Sequence, residues 1–474
     1  MKRAVVRSIG SRGASLGASV AATSLAVALV GCTSMAPRYE RPAAPVPTNL
    51  PGGAGAADVA ATPWHEFIHE PKLQQVIGQA LAQSRTLRKA ALSIESARAQ
   101  YRIQRAAQLP SIDASASVTS VRSITGPDNA ATTSTLYAAQ IGLASWEIDL
   151  FGRLKSLSDA KMQAYFSTVE AAKATQISLI AETASAYLTL SADLGRLEIA
   201  RETTASSKRT MELTEQLVGG GVSNRGDYWQ AATVFQEARA DVALLTAAIA
   251  QDRNALELLV GGPIPDALLP EALPAQPDWF ADVPVGLSSQ VLLGRPDVLA
   301  AEHDLQAANA NIGAARAQFF PSLSLTASGG LASTGLAALF TGPAAVFTLA
   351  PNLALPLFRG GANRANLEFT KAQKLVFIAS YELAIQTAFR EVADALATRG
   401  TIEEQLAAQV ALVDASTKSF ELAQARYKAG VDTFLTTLVS ERALYAAKNS
   451  LLATQLAALG NRVTLYRVMG GGLR

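Results

Sequence analysis

Two periodicities divide this chain. From residue 317 to 358 there are 42 residues without a charge, in which Leu323, Leu325 and Ala327 interleave with Ser322, Ser324, Thr326 and Ser328. Further on, Phe347, Leu349, Leu353 and Leu355 interleave with Thr348, Ala350, Asn352 and Ala354. A weaker copy occurs earlier, where Ile112, Ala114, Ala116 and Val118 alternate with Asp113, Ser115, Ser117 and Thr119, followed by Ile141 and Leu143 against Gln140 and Gly142. A period of two predicts strands, at about 111–122, 137–148, 322–330 and 346–357. The 317–358 run is long enough to span a bilayer as helix, but Pro321, Gly329, Gly330, Gly335, Gly342, Pro343, Pro351 and Pro356 break it. Elsewhere the pattern is helical. The 20 prolines avoid 128–262 and 357–474, and Arg153 to Val218 is interrupted only by Gly195, giving a helix of roughly 100 Å at about 1.5 Å per residue. Leu438, Tyr445, Leu452, Leu459 and Tyr466 recur every seven residues, with Leu456 and Val463 beside them, as in a coiled-coil seam.

The halves repeat one another. Ile94–Ser111 aligns with Leu305–Ser322, Leu150-Phe151 with Leu357-Phe358, and Gly221-Val222 with Gly430-Val431, all at offsets between 207 and 211. Each half therefore reads as helix, proline, two strands, a Phe-containing turn, a very long helix, a Gly-Val tip and a returning helix. The tips fall at about 219–228 and 429–437, the repeats at 64–262 and 289–474, and an inter-repeat linker at 263–288.

Composition narrows the chemistry. One cysteine excludes a disulfide scaffold. The net charge of +2 comes from Lys2, Arg3, Arg7 and Arg12; without them the balance is slightly negative, which removes any nucleic-acid footprint. Those basic residues precede an uncharged apolar run, Gly13 to Val30, so residues 1–31 read as a secretory signal. The run ends Leu29-Val30-Gly31-Cys32, which resembles the bacterial lipobox. Cys32 is then the lipidated first residue of the mature chain, and Thr33 in second place favours the outer membrane. Residues 32–63, rich in Pro, Ala and Gly, read as an extended lipid-anchored tether.

Segments of about ten residues with one apolar and one polar face suit outer-membrane strands, although a four-stranded soluble sandwich would show the same alternation. In lipid, every strand edge must be paired, and four strands are too few to close a barrel. Several chains would have to share one; three copies give twelve strands and room for water inside.

Several motifs carry a family likeness: Pro37-Arg38-Tyr39, Trp64-x-x-Phe67, Trp146-Glu147-Ile148-Asp149-Leu150-Phe151-Gly152-Arg153, Arg295-Pro296-Asp297, Phe319-Phe320-Pro321, Tyr427-Lys428-Ala429-Gly430-Val431 and Leu465-Tyr466 with Gly470–Gly472. With the lipobox, these resemble the TolC-like outer-membrane efflux proteins, most closely the NodT-type lipoprotein branch. The resemblance implies a mostly α, internally duplicated fold: a homotrimer whose long helices form a periplasmic α-barrel and whose chains each give four strands to a 12-stranded barrel. It also implies a passive exit duct joined through a periplasmic adaptor to an inner-membrane efflux transporter, with no cofactor beyond the lipid on Cys32. The adaptor is expected at the tips, at Gly221, Val222, Asn224, Gly430, Val431, Asp432 and Thr433. Family members constrict the pore with acidic side chains near the start of the returning helices; Asp227 matches one such position, but Thr436 and Val439 stand where the second repeat would need another. Leu323, Leu325, Leu349, Leu353 and Leu355 are expected to face lipid.

His65-Glu66-Phe67-Ile68-His69 has the H-E-x-x-H spacing of zinc hydrolases, yet Pro63 and Pro71 bracket it and deny it the supporting helix such a site needs. No Ser/His/Asp or Cys/His constellation is present, and no enzyme is expected. The competing account is a periplasmic coiled-coil structural or adaptor lipoprotein without a pore, which would tolerate charges in 317–358.

Overall fold

A computed structural model describes residues 34–51, 62–125, 130–282 and 288–472, so Cys32 lies outside the described residues. The elements are α1 (Trp64–Phe67), α2 (Pro71–Gln83), α3 (Arg85–Ala106), β1 (Asp113–Thr125), β2 (Ala130–Ile148), α4 (Arg153–Gly219), α5 (Arg225–Val260), α6 (Pro296–Ala317), β3 (Ser322–Ser333), β4 (Ala345–Ala354), α7 (Ala362–Lys428) and α8 (Phe434–Val468). Two units result: one from residues up to Pro42, Glu95–Ser167 and Ala301–Tyr381, the other from Ala43–Ile94, Thr168–Ala300 and Glu382–Arg474.

The first unit carries all four strands, antiparallel in the order β1-β2-β3-β4. Cross-strand partners share a face. One face holds the rows Ile148–Leu323–Leu353, Trp146–Leu325–Pro351, Leu143–Ala327–Leu349 and Ala114–Ile141–Gly329–Phe347. The other holds Ser322, Ser324, Thr326 and Ser328 with Asn352, Thr348, Glu147, Gln140, Ser115 and Ser117, and Val121, Leu136 and Val346 as apolar exceptions. The apolar rows give way along β1 to Ser120 and Arg122. Keeping the rows aligned takes one irregularity: the apolar positions of β2 change parity between Leu143 and Trp146, and a bulge absorbs the extra residue. Ser145 in that bulge has φ 51°, and its N–H donates to Thr326 Oγ1 at 3.1 Å. Nearby, a Cβ at Gly142 would strike Ala327 O and one at Gly330 would strike Ala139 O, so β2 and β3 meet through two glycines. β4 stops at Ala354, short of the expected 357: Leu355 precedes Pro356, which has no N–H to give to a ladder.

The tether is extended but not loose. In the same unit Arg316 donates to Met35 O (3.1 Å), Asn309 to Pro37 O (2.8 Å), and both Tyr39 and Arg41 to the buried Glu302, the latter through Nε (2.8 Å) and Nη2 (2.7 Å). Gly313 lets this happen, since a Cβ there would meet the backbone of Ala36. Residues 35–41 thus lie antiparallel along α6. The Tyr39 hydroxyl is pushed well above its usual range, first by burial and then by Glu302.

The second unit has its core where α1, α2, α4, α5 and α8 converge. In α2, Leu73, Val76, Ile77 and Ala80 are buried at spacings of three and four, behind Pro71 at the first helical position and the Glu70 cap. Opposite lie Ile180, Tyr187 and Leu188 of α4, Leu256 and Val260 of α5, and Leu452, Leu459, Val463 and Tyr466 of the α8 seam. The inter-repeat segment is no free linker: Ile264, Leu273, Trp279 and Phe280 enter this core, and Phe67 stacks on Phe280 (5.4 Å) and Tyr466 (4.3 Å).

Candidate functional site

The polar and apolar faces of the sheet are the first functional feature. Leu349 (58% exposed), Leu353 (66%), Phe347 (74%) and Ile141 (62%) stand on one side, left exposed by the described residues. Apolar surface of this extent marks a partner or a membrane. Leu323 and Leu325 share that face but are half-buried between strands, and Leu355, although exposed, lies beyond the end of β4. Among the described residues no helix is long and apolar enough to cross a membrane.

The second feature is the pair of helix tips. α4 ends in a turn where Gly221 adopts φ 74° and the Val222 N–H reaches back to Leu217 O at 2.9 Å; α7 ends identically, with Gly430 at φ 73° and Val431 N–H on Arg426 O at 2.9 Å. This six-to-one closure needs a left-handed residue, which glycine adopts without steric cost. Both turns leave their valines exposed, Val222 at 77% and Val431 at 62%.

Beyond the glycines the tips differ. In the first, Asn224 caps α5 by accepting from the Asp227 N–H (3.1 Å), and the Asp227 carboxylate accepts from Ser223 Oγ (2.7 Å) and Asn224 Nδ2 (3.1 Å). Asp227 is therefore tied into a reciprocal cap. In the second, Thr433 makes no side-chain cap, and Asp432 is instead gripped by Arg426 through Nε (2.6 Å) and Nη2 (3.2 Å). The guanidinium holds the Asp432 carboxyl below its ordinary range. Beneath the turns Phe434 packs against Tyr427 (5.4 Å), with Ala231, Val234 and Leu438 buried beside it and Val439 left 59% exposed. The six-residue Arg426–Asp432 pairing matches no helical spacing; the glycine turn creates it, and the sequence pattern gave no sign of it.

Further along α8, Glu441 is 5% exposed, and its Oε1 has no hydrogen-bond partner among the described residues. Burial pushes its carboxyl above the ordinary range, against the opposing effect of the Ser206 hydroxyl. The H-E-x-x-H residues do not assemble: α1 stops at Phe67, and the His69 N–H pairs with Trp279 O at 2.8 Å in a short bridge. Among the described residues no group of three or more His, Cys, Asp or Glu is placed to hold a metal ion.

The sequence profile of the family "Outer membrane efflux protein" matches residues 76–262 and 287–471. The solvent efflux pump outer membrane protein SrpC of Pseudomonas putida is 43% identical over 94% of this chain and 97% of its own. A probable efflux pump outer membrane protein of the same species, TtgC, is 41% identical over 94% and 93%. Among solved structures, a membrane protein from Pseudomonas aeruginosa superposes with a TM-score of 0.87 at 39% identity, covering 93% of this chain and 98% of its own. The open state of the Neisseria gonorrhoeae MtrE outer membrane channel does so with 0.82 at 37%, covering 93% and 99%. The chain belongs to the outer membrane efflux protein family. It has the duplicated TolC-like fold and is an outer-membrane efflux channel of a Gram-negative bacterium.

Proposed function

We propose that three copies of the chain close their sheets into one twelve-stranded barrel and that their helices continue it as a periplasmic duct. The observation that carries this reading is the sheet itself: four strands with β1 and β4 as open edges and one bare apolar face. In a bilayer those edges must pair with other copies, and the Ser, Thr and Asn face then lines a wet lumen. The periplasmic tips are the docking end for an adaptor joined to an inner-membrane transporter; the exposed Val222 and Val431 beside paired glycine turns support this, as do relatives named as outer membrane proteins of pumps. Cargo is selected upstream, and relatives named for solvent, toluene and antibiotic efflux make small organic molecules the class to test first. Cys32 carries the lipid anchor, with no other cofactor. Asp227, repeated three times around the pore, is the gate candidate. Single-channel recording tests the reading: purified protein in a planar bilayer should give ohmic steps, and protein that inserts without conducting would refute it.

A further inference from the structure

The end of β2 places a charged recess at the edge of the apolar face. The apolar rows finish at Ile148–Leu323–Leu353, one residue before Asp149. Immediately beyond, α3 and α4 enclose a recess of about 440 Å³ lined by Tyr101, Arg105, Gln108, Asp149, Lys155 and Asp159 among others. That volume lies within the ~300–1,000 Å³ range of small-ligand sites. Its connection to the apolar face is physical: the Trp146 indole, in the row next to the last, donates Nε1–H to Gln108 O at 3.2 Å. A half-buried tryptophan with an apolar body and one hydrogen-bonded donor is the residue type that collects at membrane interfaces.

The charges are mixed. Arg105 and Lys155 are both exposed and enter no ion pair with a described residue. Asp149 uses one oxygen on the Lys155 N–H (2.7 Å), leaving the other open, and Asp159 stands one turn further along α4. A singly anionic ligand would meet two carboxylates, and a cation would meet two basic groups; a zwitterion with phosphate and ammonium a few bonds apart answers both. We propose that this recess binds the phosphoethanolamine headgroup of a phospholipid in the inner leaflet of the outer membrane, phosphate to Arg105 and Lys155, ammonium to Asp149 and Asp159. The proposal rests on the channel reading above, which puts the ends of the strands at that leaflet.

The test uses the full chain purified in detergent, stripped of lipid by washing, then titrated with phosphatidylethanolamine or phosphatidylglycerol and weighed by native mass spectrometry. Phosphatidylethanolamine should be retained preferentially, at one per chain. Arg105→Ala with Lys155→Ala should lower retention at least five-fold, Asp159→Asn should abolish the preference over phosphatidylglycerol, and Lys89→Ala, on the exposed surface of α3, should change nothing. Equal retention of the two lipids by the parent, or undiminished retention by the double variant, overturns the proposal. So does a lipid-free assembly whose Lys155 resists acylation, because a second copy of the chain then covers the recess. In each of these results the assembly mass and conductance stay normal, whereas failure of the channel reading would alter both.

Discussion

Leu143 and Trp146, three residues apart in β2, project from the same face of the sheet, opposite Ala327 and Leu325 of β3. An unbroken strand would put them on opposite faces, and the bulge at Ser145 makes the difference. Deleting Ser145 should therefore be tolerated: Leu143 and Trp146 then stand two positions apart and keep the apolar face in a regular strand, so the protein still inserts, and loss of the heat-modifiable band on gels would contradict this. Ser145→Gly, which suits φ 51°, should insert normally and gain up to about 1 kcal/mol.

Charges on the apolar face should be costly in proportion to depth. Leu349→Arg is expected to lose about 2–4 kcal/mol of insertion free energy per chain and Leu353→Arg, in the last apolar row, only about 0–1, while Thr348→Arg, on the polar face, inserts and alters ion selectivity. Membrane fractionation and reversal potentials separate the two outcomes.

Arg295 is 8% exposed at its side chain, pairs with Asp297 (2.7 Å) and Glu391 (2.9 Å), and donates to Val468 O (2.8 Å). It ties the start of α6 to α7 and to the end of α8. Arg295→Ala strands two carboxylates and should cost about 3–5 kcal/mol, and Arg295→Lys should recover only part of it because one ammonium cannot replace the fork. Calorimetric melting of the purified protein would show the ranking.

Glu441 gives a pH signature of definite sign. Its folded pKa is raised, so the folded state holds the proton more tightly, and stability falls as pH climbs from the ordinary value of 4.5 through the raised one. Glu441→Gln should raise Tm by on the order of 2 °C at pH 7.5 and by progressively less toward pH 4. Asp432 behaves oppositely: its depressed pKa makes the Arg426 pairing present above the ordinary 3.8 and lost as pH falls through the folded value.

Asp227 has two separable roles. Asp227→Ala removes the carboxylate's bonds to Ser223 and Asn224 but leaves the Asn224 cap on its backbone N–H, and should cost about 0.3–1 kcal/mol, seen as faster amide exchange at 224–230. Asp227→Asn can still accept from Ser223 but carries no charge, so it should relieve block of conductance by divalent cations without faster exchange if the three carboxylates form the constriction. Unchanged block in Asp227→Asn would restrict this residue to capping.

How far the sequence carries depends on the range over which each interaction acts. Alternation at 322–330 and the seam through Leu452 and Leu459 are local patterns, and both elements stand where the spacing puts them. The β2 bulge was written in the sequence as a change of parity between Leu143 and Trp146, a signal that weighing each strand separately passes over. The docking of residues 35–41 on α6 and the burial of Trp279 and Phe280 depend on partners more than a hundred residues away, so composition alone suggested tether and linker. The tip pair Arg426–Asp432 arises from one glycine turn and is legible only once that turn is known.

The central claim is that four strands per chain become a barrel only through assembly. Native mass spectrometry of the full-length protein extracted from membranes tests it directly. The account predicts three chains, each with a mass showing lipid on Cys32. A single chain, or a species that remains in water without detergent, would contradict it.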